Sequence, residues 1–591
     1  MNGIKVILTT RLKHVCHQMD CQPYAILKMF PLGNYKSYGE AWELFMLKLG
    51  LDGTPRILPH EIEEIARCIV ERFKGLPLAI NMMARTMKGI NDIYQWKHAV
   101  SRLKKLEMGQ EVDDEVFNVL KHSYDNLMKK NLQNCFLYCA LLTIDDWDMD
   151  WDHEIEKDEL IMKLVDNGQI DGNMCLEEIF DEGNTILNKL EAHSLISSNN
   201  FRVFTHPLVR NMACYIWKES QRNAIVNLGK ELSKIPLTHE WAIDIELVHI
   251  RDSDIEEILE GVSPNCPKLS TLIINKASIS HVPEGFFKYM NCLSILDLSY
   301  NKRLESLPNS VTELRSLVSL VLNRCASLVH VLPLGELKAL SRLVISKTSI
   351  EKAPLGLEKL TSLKWLDLSY NKSLNLELGS FSSNLTKLQY VDLQNTLAMI
   401  TVEDVHGMSM LECFRGNFDC KHFNQSVQKK VNISFEPIKT YHLILGNIFG
   451  DSRSFLLDND NLKRFVPSDP ETRTILPKDR TCLYIERNNH WICLCNALSY
   501  NTSSSLRRIG TYECQQLESL FCLSGSCSFC TKIHNLEVLQ LSSLKSLIDV
   551  CKDVVDVRQS LTPGGTFSCL KLFSISHCNL IEKLFTPQLV L

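Results

Sequence analysis

The sequence predicts a multidomain α/β chain whose second half is a solenoid of short parallel strands. A short β-branched run opens the chain, amphipathic helical patterns follow it, and a leucine pattern then recurs in six copies. The copies begin at Leu269, Leu293, Leu317, Leu340, Leu363 and Leu388, at spacings of 24, 24, 23, 23 and 25 residues. Such a period indicates a leucine-rich repeat, in which each unit buries its apolar side only by stacking on its neighbours.

One repeat shows how the pattern predicts a strand with two faces. In LSILDLSYN, Leu296 and Leu298 point into the core while Ile295, Asp297 and Ser299 lie on the opposite face, because successive side chains of a strand alternate. We expect the opposite faces to form the parallel inner sheet of a horseshoe. The pattern closes on a small polar side chain or thiol, which we expect to turn inward to the backbone of the bend. Residues of this kind are Asn301, Cys325 and Asn371.

Length and composition limit the classes of function. For 591 residues, roughly three to five domains are expected, or fewer with an elongated repeat array. The net charge of -6 gives no nucleic-acid footprint, and no apolar run approaches the roughly 18 residues of a membrane span. The apolar run from Val6 to Leu8 is too short for a signal peptide. We therefore expect a cytoplasmic, reducing setting in which the 22 cysteines are buried or free thiols.

The front of the chain predicts a strand followed by helices. Residues 4–8 form a β-branched run typical of a buried parallel strand, and such strands lie inside α/β sheets. We interpret this run as the last strand of a domain that begins upstream. Helices are predicted over 38–50 and 60–87, with a break at Gly75 and a new start at Pro77. The apolar face of the second helix contains Ile62, Ile65, Ala66, Ile69, Val70 and Phe73.

Residues 112–220 predict a helical unit that ends in strands. The turn residues Asn199 and Asn200 lie between two apolar runs, which indicates a hairpin. A plain all-helical packing unit is the alternative. The helices are predicted over 113–126, 131–142, 158–167 and 176–192.

The solenoid is expected to begin gradually and to continue irregularly. Residues 222–243 predict a helical linker, and 245–258 form a first, degenerate repeat. After Asn395 the period blurs. Chain truncation is expected at this end too, because the sequence reaches Leu591 without the polar cap of a terminal repeat. Further, longer and irregular repeats are expected at LECF (411–414), YHLIL (441–445), CLYIE (482–486), LRRIGTYEC (506–514), LEVLQLSSLKSL (536–547) and LKLFSISHC (570–578).

Five motifs in the first part resemble those of one family. KVILTTR, GEAWELF, GLPLAI, DDEVFNVLKHSYDNL and CFLYCALL are similar, in order and spacing, to the NB-ARC module of plant disease-resistance proteins of the coiled-coil, leucine-rich-repeat class. The resemblance implies a remnant of a P-loop-type α/β domain, helical and winged-helix subdomains, a linker and a horseshoe of repeats. The implied bounds are 1–33, 34–108, 109–221, 222–244 and 245–591, with the repeats regular over 269–396.

The same resemblance implies an ADP/ATP switch. Thr10 and Arg11 match the sensor motif near the γ-phosphate, where a planar guanidinium suits paired phosphate oxygens. Pro77 matches the proline that packs on adenine, and it also suits a helix start. His206 lies where the family has a Met-His-Asp motif whose histidine contacts the β-phosphate of ADP, but Thr205 and Pro207 replace the flanking residues. An ordinary structural histidine is the alternative for His206.

Other chemistry-bearing patterns are weaker. No GxxxxGK[ST] motif occurs in the sequence, which disfavours an ATP-hydrolysing enzyme. LLTIDD (141–146) imitates a magnesium-holding strand but directly follows a helical segment. The acidic run from Asp145 to Asp152 lacks the glycine and glutamate that a calcium loop needs. Cys527 and Cys530, near Cys522 and His534, are either a loose zinc candidate or free thiols.

Two function hypotheses remain. The first is an intracellular immune receptor whose repeats recognise a pathogen effector or a guarded host protein and pass the signal to other proteins, with oligomerisation on activation as one route. The second is an interaction scaffold or decoy that binds proteins without nucleotide. In both, the partner-facing side chains are expected to include the aromatic residues Trp365 and Tyr390. The full expected set is Thr271, Ile273, Ile295, Asp297, Val321, Arg324, Arg342, Val344, Trp365, Asp367, Tyr390 and Asp392.

Overall fold

A computed structural model gives the architecture. It divides into two compact units: the first contains Met1–Lys230, His239–Asp252 and Asn265–Ile273, and the second contains Glu231–Thr238, Ser253–Pro264 and Ile274–Leu591. The residues described are 39–50, 58–72, 80, 83–85, 87–104, 114–143, 155–198, 202–228, 234–251, 253, 255–376, 384–401, 404, 407–418, 440–445, 463–467, 474–476, 482–486, 491–500, 506–521, 535–551, 567, 569–582 and 584.

The first unit is mainly helical. Two short strands, β1 (Ser197–Ser198) and β2 (Val203–Phe204), pair antiparallel before its last helix, α8 (Pro207–Glu219). Two longer strands, β3 (Asn223–Leu228) and β4 (Ile245–Arg251), pair in parallel. The other helices are α1 (Gly39–Leu49), α2 (His60–Arg72), α3 (Ile93–Lys104), α4 (Asp114–Asp125), α5 (Lys130–Leu142), α6 (Lys157–Asp166) and α7 (Leu176–Ala192).

The apolar face predicted for α2 is confirmed. In α2, the face that contains Ile62, Ala66 and Ile69 is buried. It packs in one apolar cluster with Phe45 of α1 and Trp96 of α3. Removing this apolar surface from water is the main stabilisation available to short helices, which are marginal alone.

The hairpin expected near Asn199 is present as β1 and β2, although its turn and Phe73 lie outside the described residues. Two expectations for this unit were wrong or incomplete. The linker expected to be helical contains β3, because Ile225 and Val226 favour a strand and β4 supplies a partner for its backbone. Helices α3 and α8 were not predicted.

The second unit is a ladder of parallel strands. The predicted regular repeats form β5 (Thr271–Asn275), of which residues 271–273 belong to the first unit, β6 (Ile295–Asp297), β7 (Ser319–Val321), β8 (Arg342–Val344), β9 (Trp365–Asp367) and β10 (Tyr390–Asp392). Each strand from β6 to β9 pairs in parallel with the strand of the next repeat. Leu296 and Leu298 are buried as expected. Short 3₁₀ turns, Asn309–Glu313 and Leu357–Lys359, lie between strands.

The ladder continues through the irregular region. Strand β10 pairs with β12, and the order then runs through β13, β14, β16, β18, β20 and β22. Each of the six segments expected to be an irregular repeat contributes a strand to the ladder, whereas β14 was not anticipated. These strands are β12 (Cys413–Phe418), β13 (Thr440–Leu445), β14 (Lys463–Pro467), β16 (Cys482–Glu486), β18 (Arg508–Tyr512), β20 (Val538–Ser542) and β22 (Leu572–Ser576).

Short strands add to this ladder or pair outside it. Strand β11 (Met399–Ile400) pairs with β12, β15 (Thr474–Leu476) pairs with β17 (Leu498–Tyr500), and β19 (Ser519–Phe521) pairs with β21 (Asp549–Cys551). A one-turn helix, α9 (Leu494–Ala497), precedes β17. Across the described parts of both units, no helix is long and apolar enough to cross a membrane.

Candidate functional site

Each regular repeat leaves its strand through a residue with a left-handed backbone. The φ angle is 64° at Tyr300, 60° at Arg324, 56° at Lys347 and 60° at Tyr370. This conformation costs an L-residue roughly 1–2 kcal/mol. A backbone hydrogen bond to the next repeat offsets it: the N–H of Tyr300 donates to the carbonyl of Asn323 at 2.8 Å. The left-handed residues therefore recur at one position of every regular repeat.

The next residue ties the bend to the backbone, as expected from the sequence. Nδ2 of Asn301 donates to the carbonyl oxygens of Ile274 at 2.7 Å and Leu298 at 2.9 Å. In the repeat that follows, the thiol of Cys325 donates to the same Leu298 carbonyl at 3.2 Å. Asn371 repeats the asparagine pattern. These buried side chains fix the direction in which each strand enters the next turn.

The register of the ladder aligns the side chains of the strands in two rows. The first row contains Ile295, Ser319, Arg342, Trp365, Tyr390 and Cys413. The second row contains Asp297, Val321, Val344, Asp367, Asp392 and Arg415. Because parallel strands lie roughly 4.8 Å apart, neighbours in a row are in contact range.

The expected partner-facing residues are more buried than the sequence suggested. Only Arg324, Trp365 and Asp367 of the twelve are half-buried rather than buried. The physical reason is the close spacing of the strands, which lets large side chains in register cover one another. The twelve residues therefore do not form an open row. Of those that lie on strands, the two accessible ones, Trp365 and Asp367, both belong to β9. The buried residues are Thr271, Ile273, Ile295, Asp297, Val321, Arg342, Val344, Tyr390 and Asp392.

Trp365 and Tyr390 form the aromatic part of the face. Their ring centroids lie 3.6 Å apart and their planes are tilted by 8°. The guanidinium carbon of Arg415 lies 5.8 Å from the Tyr390 ring centroid. A stacked pair held from two strands presents a rigid surface, since neither ring can turn without losing its contact.

Two carboxyl groups lie beside the aromatic pair. Arg415 Nη1 lies 3.7 Å from Asp392 Oδ2, and the Arg415 side chain is 44% exposed. Oδ1 of Asp367 accepts hydrogen bonds from the Ser369 backbone N–H at 2.9 Å and from its hydroxyl at 2.6 Å. Burial raises the pKa of both carboxyls; for Asp392 it reaches about 7, with the neighbouring Asp367 adding to the rise and Arg415 opposing it.

Arg415 is a functional candidate that the sequence reasoning missed. It lies in the irregular repeat that begins at LECF, outside the six regular copies. A signal was available, because LECFRG aligns Arg415 with Asp392 once Leu411 is matched to Leu388. The structure confirms that alignment in the register of β10 and β12.

Of the expected nucleotide residues, only His206 can be located. Thr10, Arg11 and Pro77 lie outside the described residues. His206 is the N-cap of α8, and its Nδ1 accepts a hydrogen bond from the Leu208 backbone N–H at 3.1 Å. With Nδ1 an acceptor, the neutral ring carries its hydrogen on Nε2.

A buried arginine near His206 joins two helices. Arg210 of α8 donates to the carbonyl oxygens of Ala140 at 3.3 Å, Thr143 at 2.9 Å and Thr205 at 3.3 Å. The hydroxyls of Thr143 and Thr205 are 2.7 Å apart. Thr205 is therefore part of the packing between α5 and α8.

The remaining candidate motifs give little chemistry in the described residues. Leu141 and Leu142 are the last residues of α5, so LLTIDD begins on a helix and not on a strand. The acidic run from 145 to 152 and the loose zinc candidates Cys522, Cys527, Cys530 and His534 lie outside the described residues. Among the cysteines whose side chains the structure describes, fifteen are free thiols, and nine of these are buried.

Comparisons with known proteins agree with the repeat pattern. A family model described as "Leucine rich repeat" matches residues 267–326. Solved structures are distant: an internalin from Listeria monocytogenes is 15% identical, covers 60% of this chain and 87% of its own, and has a TM-score of 0.37. A leucine-rich-repeat protein of Leptospira interrogans is 16% identical, covers 61% and 85%, and also has a TM-score of 0.37.

Sequence relatives are more informative. A putative disease resistance protein of Arabidopsis thaliana is 32% identical over 422 residues, which are 70% of this chain and 42% of that protein. The disease resistance proteins UNI and RPS5 of Arabidopsis thaliana are 31% and 29% identical, over 63% and 70% of this chain. These matches cover 38% of UNI and 45% of RPS5, so the chain spans less than half the length of these relatives. By sequence, this chain belongs to the family of plant disease-resistance proteins that carry leucine-rich repeats.

Proposed function

We propose that this chain acts in plant immunity by recognising a protein partner through its repeat sheet, either a pathogen effector or a guarded host protein. The observation that carries the proposal is the face around Trp365, where a rigid aromatic stack lies beside Asp367 and Arg415. Rigid aromatic and arginine side chains dominate the binding energy of protein interfaces. The disease-resistance relatives give the cellular context, which we take to be cytoplasmic.

A nucleotide switch in the first unit is the finer part of this proposal. Thr10, Arg11, Pro77 and His206 would contact ADP or ATP, with downstream signalling proteins and oligomerisation as outputs. No catalytic role is proposed. The sequence contains no GxxxxGK[ST] motif to hold the β- and γ-phosphates, so any switch in this chain is incomplete.

An interaction scaffold without nucleotide is the second candidate function. The position of His206 favours it, because Nδ1 is engaged by the Leu208 backbone N–H and the ring already has a structural task as a helix cap. The scaffold would bind its partner through the same face. It would lack the two nucleotide-dependent states that a switch requires.

Partner capture in leaf cells tests the recognition face. The full chain is fused to a proximity-labelling enzyme and compared with Trp365→Ser, Arg415→Ala and, as a control, Lys359→Ala, which changes an exposed lysine of a 3₁₀ turn. We expect a protein whose labelling falls about tenfold in the first two variants and not in the control. Identical labelled sets for all four proteins would refute recognition by this face. Thermal unfolding of each variant checks that it is folded.

Nucleotide binding separates the two candidate functions. Isothermal titration of ADP and of ATP into the purified chain is compared with His206→Ala and with Ser220→Ala, which changes an exposed residue at the end of the same helix. Micromolar ADP binding that is lost only in His206→Ala supports the switch. No heat with either nucleotide supports the scaffold and leaves partner recognition intact.

A further inference from the structure

The left-handed residues of the first five regular repeats form a continuous row on the second unit. Successive members belong to neighbouring strands, so they lie roughly 4.8 Å apart and the row spans roughly 19 Å. All are half-buried except Lys347, which is exposed. We name this row the bend ridge. Its members are Lys276, Tyr300, Arg324, Lys347 and Tyr370.

Cations and aromatic rings support each other along the bend ridge. The guanidinium carbon of Arg324 lies 5.2 Å from the ring centroid of Tyr300, and Nζ of Lys347 lies 5.0 Å from that of Tyr370. A cation held over an aromatic face loses less conformational entropy when an anion binds. The left-handed backbone at each position fixes the origin of the side chain.

The sequence around the bend ridge contains more cations than acids. Each left-handed residue and the five residues after it form a window, and the five windows together contain seven cations and two acids. Beyond the ridge, the cations include Arg303, whose guanidinium lies 4.0 Å from Glu256. The seven cations are Lys276, Lys302, Arg303, Arg324, Lys347, Lys352 and Lys372, and the two acids are Glu305 and Glu351.

We propose that the bend ridge binds an extended acidic peptide segment of a partner protein. This inference rests on the proposed protein-recognition function and names the chemistry of the partner. An extended chain rises roughly 3.3 Å per residue, so about six residues span the ridge. Carboxylates of the peptide would meet Lys276, Arg324 and Lys347, while Tyr300 and Tyr370 offer ring faces to its other residues. A nucleic acid fits less well, since the chain as a whole has a net charge of -6.

Fluorescence anisotropy on the full chain tests this inference. The probe is a labelled peptide of about eight residues with glutamate at alternate positions, and the matched peptide has glutamine there. We expect the glutamate peptide to bind and the glutamine peptide not to bind. We also expect binding to weaken about tenfold as salt rises from about 0.01 to 0.1 M, because screening shortens the range of the charges.

Variants locate the site. The double variant Arg324→Glu/Lys347→Glu should bind at least about tenfold more weakly, since two attractions become repulsions. The control Lys288→Glu/Lys338→Glu makes the same change in charge at exposed lysines outside the ridge, and Lys288 also lies over a tyrosine, 5.2 Å from the Tyr289 ring centroid. It should bind as the wild type does. If the charge-reversal variant does not fold, the milder double variant Arg324→Gln/Lys347→Gln replaces it in the binding measurement.

Three outcomes overturn the inference: no binding of the glutamate peptide at low salt, equal losses in the ridge and control variants, or tighter and ridge-dependent binding of a labelled oligothymidylate of similar length. These results are separate from the test of the face around Trp365. If labelling of a partner depends on Trp365 but the acidic peptide does not bind, the proposed function stands and the bend ridge is not its peptide site.

Discussion

Asp367 and Asp392 occupy the same register position on the adjacent parallel strands β9 and β10. Two carboxyls placed side by side in a poorly hydrated face resist being charged together, and Arg415 compensates them only in part. The face around Trp365 therefore contains a proton-binding pair within the physiological range of pH.

The stability of the second unit should fall as pH rises through this range. The pKa of Asp392 is raised from 3.8 to about 7, so between these values the folded chain holds a proton that the unfolded chain has released. The stabilisation is complete below about pH 4 and is lost as pH approaches about 7. Asp392→Asn should flatten this slope and raise the free energy of unfolding at pH 8 by on the order of 1–2 kcal/mol. Unfolding midpoints measured by calorimetry at several pH values, for the wild type and for Asp392→Asn, give this slope.

A matched substitution distinguishes the effect of the Asp367–Asp392 pair from the general effect of removing one negative charge. Glu412→Gln removes one negative charge beside the start of β12 and should leave the slope as in the wild type. A wild-type slope in Asp392→Asn, or a slope lost equally in Glu412→Gln, would show that the pair does not hold the extra proton.

Asn371 should be among the most costly polar residues to remove from the repeats. Its Nδ2 donates to the carbonyls of Ile345 at 2.6 Å and Leu368 at 2.8 Å, and its Oδ1 accepts from the N–H and hydroxyl of Thr348. Asn371→Ala leaves these buried groups without partners and should lower the free energy of unfolding by about 2–3 kcal/mol. Chemical denaturation followed by circular dichroism measures the loss.

Two further substitutions test that explanation. Asn371→Cys should lower the free energy of unfolding less than Asn371→Ala does, because the Cys325 thiol donates to a carbonyl oxygen at the equivalent position of its own repeat. Asn375→Ala changes an exposed asparagine and should be near neutral. If Asn371→Cys destabilises as much as Asn371→Ala, the carbonyl hydrogen bonds are not the cause.

Helices α6 and α7 pack too closely to admit a side chain at Gly183. A Cβ added there would lie 2.6 Å from Ile161 Cγ2 and 2.7 Å from its Cγ1. Gly183→Ala should therefore destabilise the first unit by about 1–3 kcal/mol, although alanine is the better helix former. Adding Ile161→Val should recover part of the loss, and Asn188→Ala on the exposed face of α7 should be neutral. A more stable Gly183→Ala in thermal unfolding would contradict the close packing.

Arg210 should be required for the packing of α8 on α5. Arg210 is buried and donates hydrogen bonds to three carbonyl oxygens. Arg210→Met keeps these carbonyl oxygens buried but removes their hydrogen-bond donor. The expected cost is about 2–4 kcal/mol in the free energy of unfolding. Hydrogen exchange of the backbone amides of α5 and α8 should rise with it. Lys218→Met, at an exposed position of α8, is the control. Equal protection of these amides from exchange in both variants would show that Arg210 does not hold α8 on α5.

Expectations from the sequence were most accurate where a short period repeats. The leucine spacing located β5 to β10 and the inward turn of Asn301, because each repeat must match its neighbour in length and in buried positions. The same pattern extended to six irregular strands. Helices α1, α4, α5, α6 and α7 were found within one residue at either end, since amphipathic periodicity is a local property.

The tertiary structure decided what depends on residues far apart in the chain. The run from Asn223 to Leu228 became a strand because β4 pairs with it, and Arg210 became a helix clamp because α5 lies beside it. Arg415 reached Asp392 only through the register of β10 and β12.

By itself, then, the sequence determined the repeat solenoid, its bends and the disease-resistance family, all of which follow from residue identity at regular spacing. Which side chains of the sheet remain accessible, and that two carboxyls share a site with Arg415, followed only from packing. Burial depends on what lies roughly 5 Å away across neighbouring strands, and a one-dimensional pattern does not contain that distance.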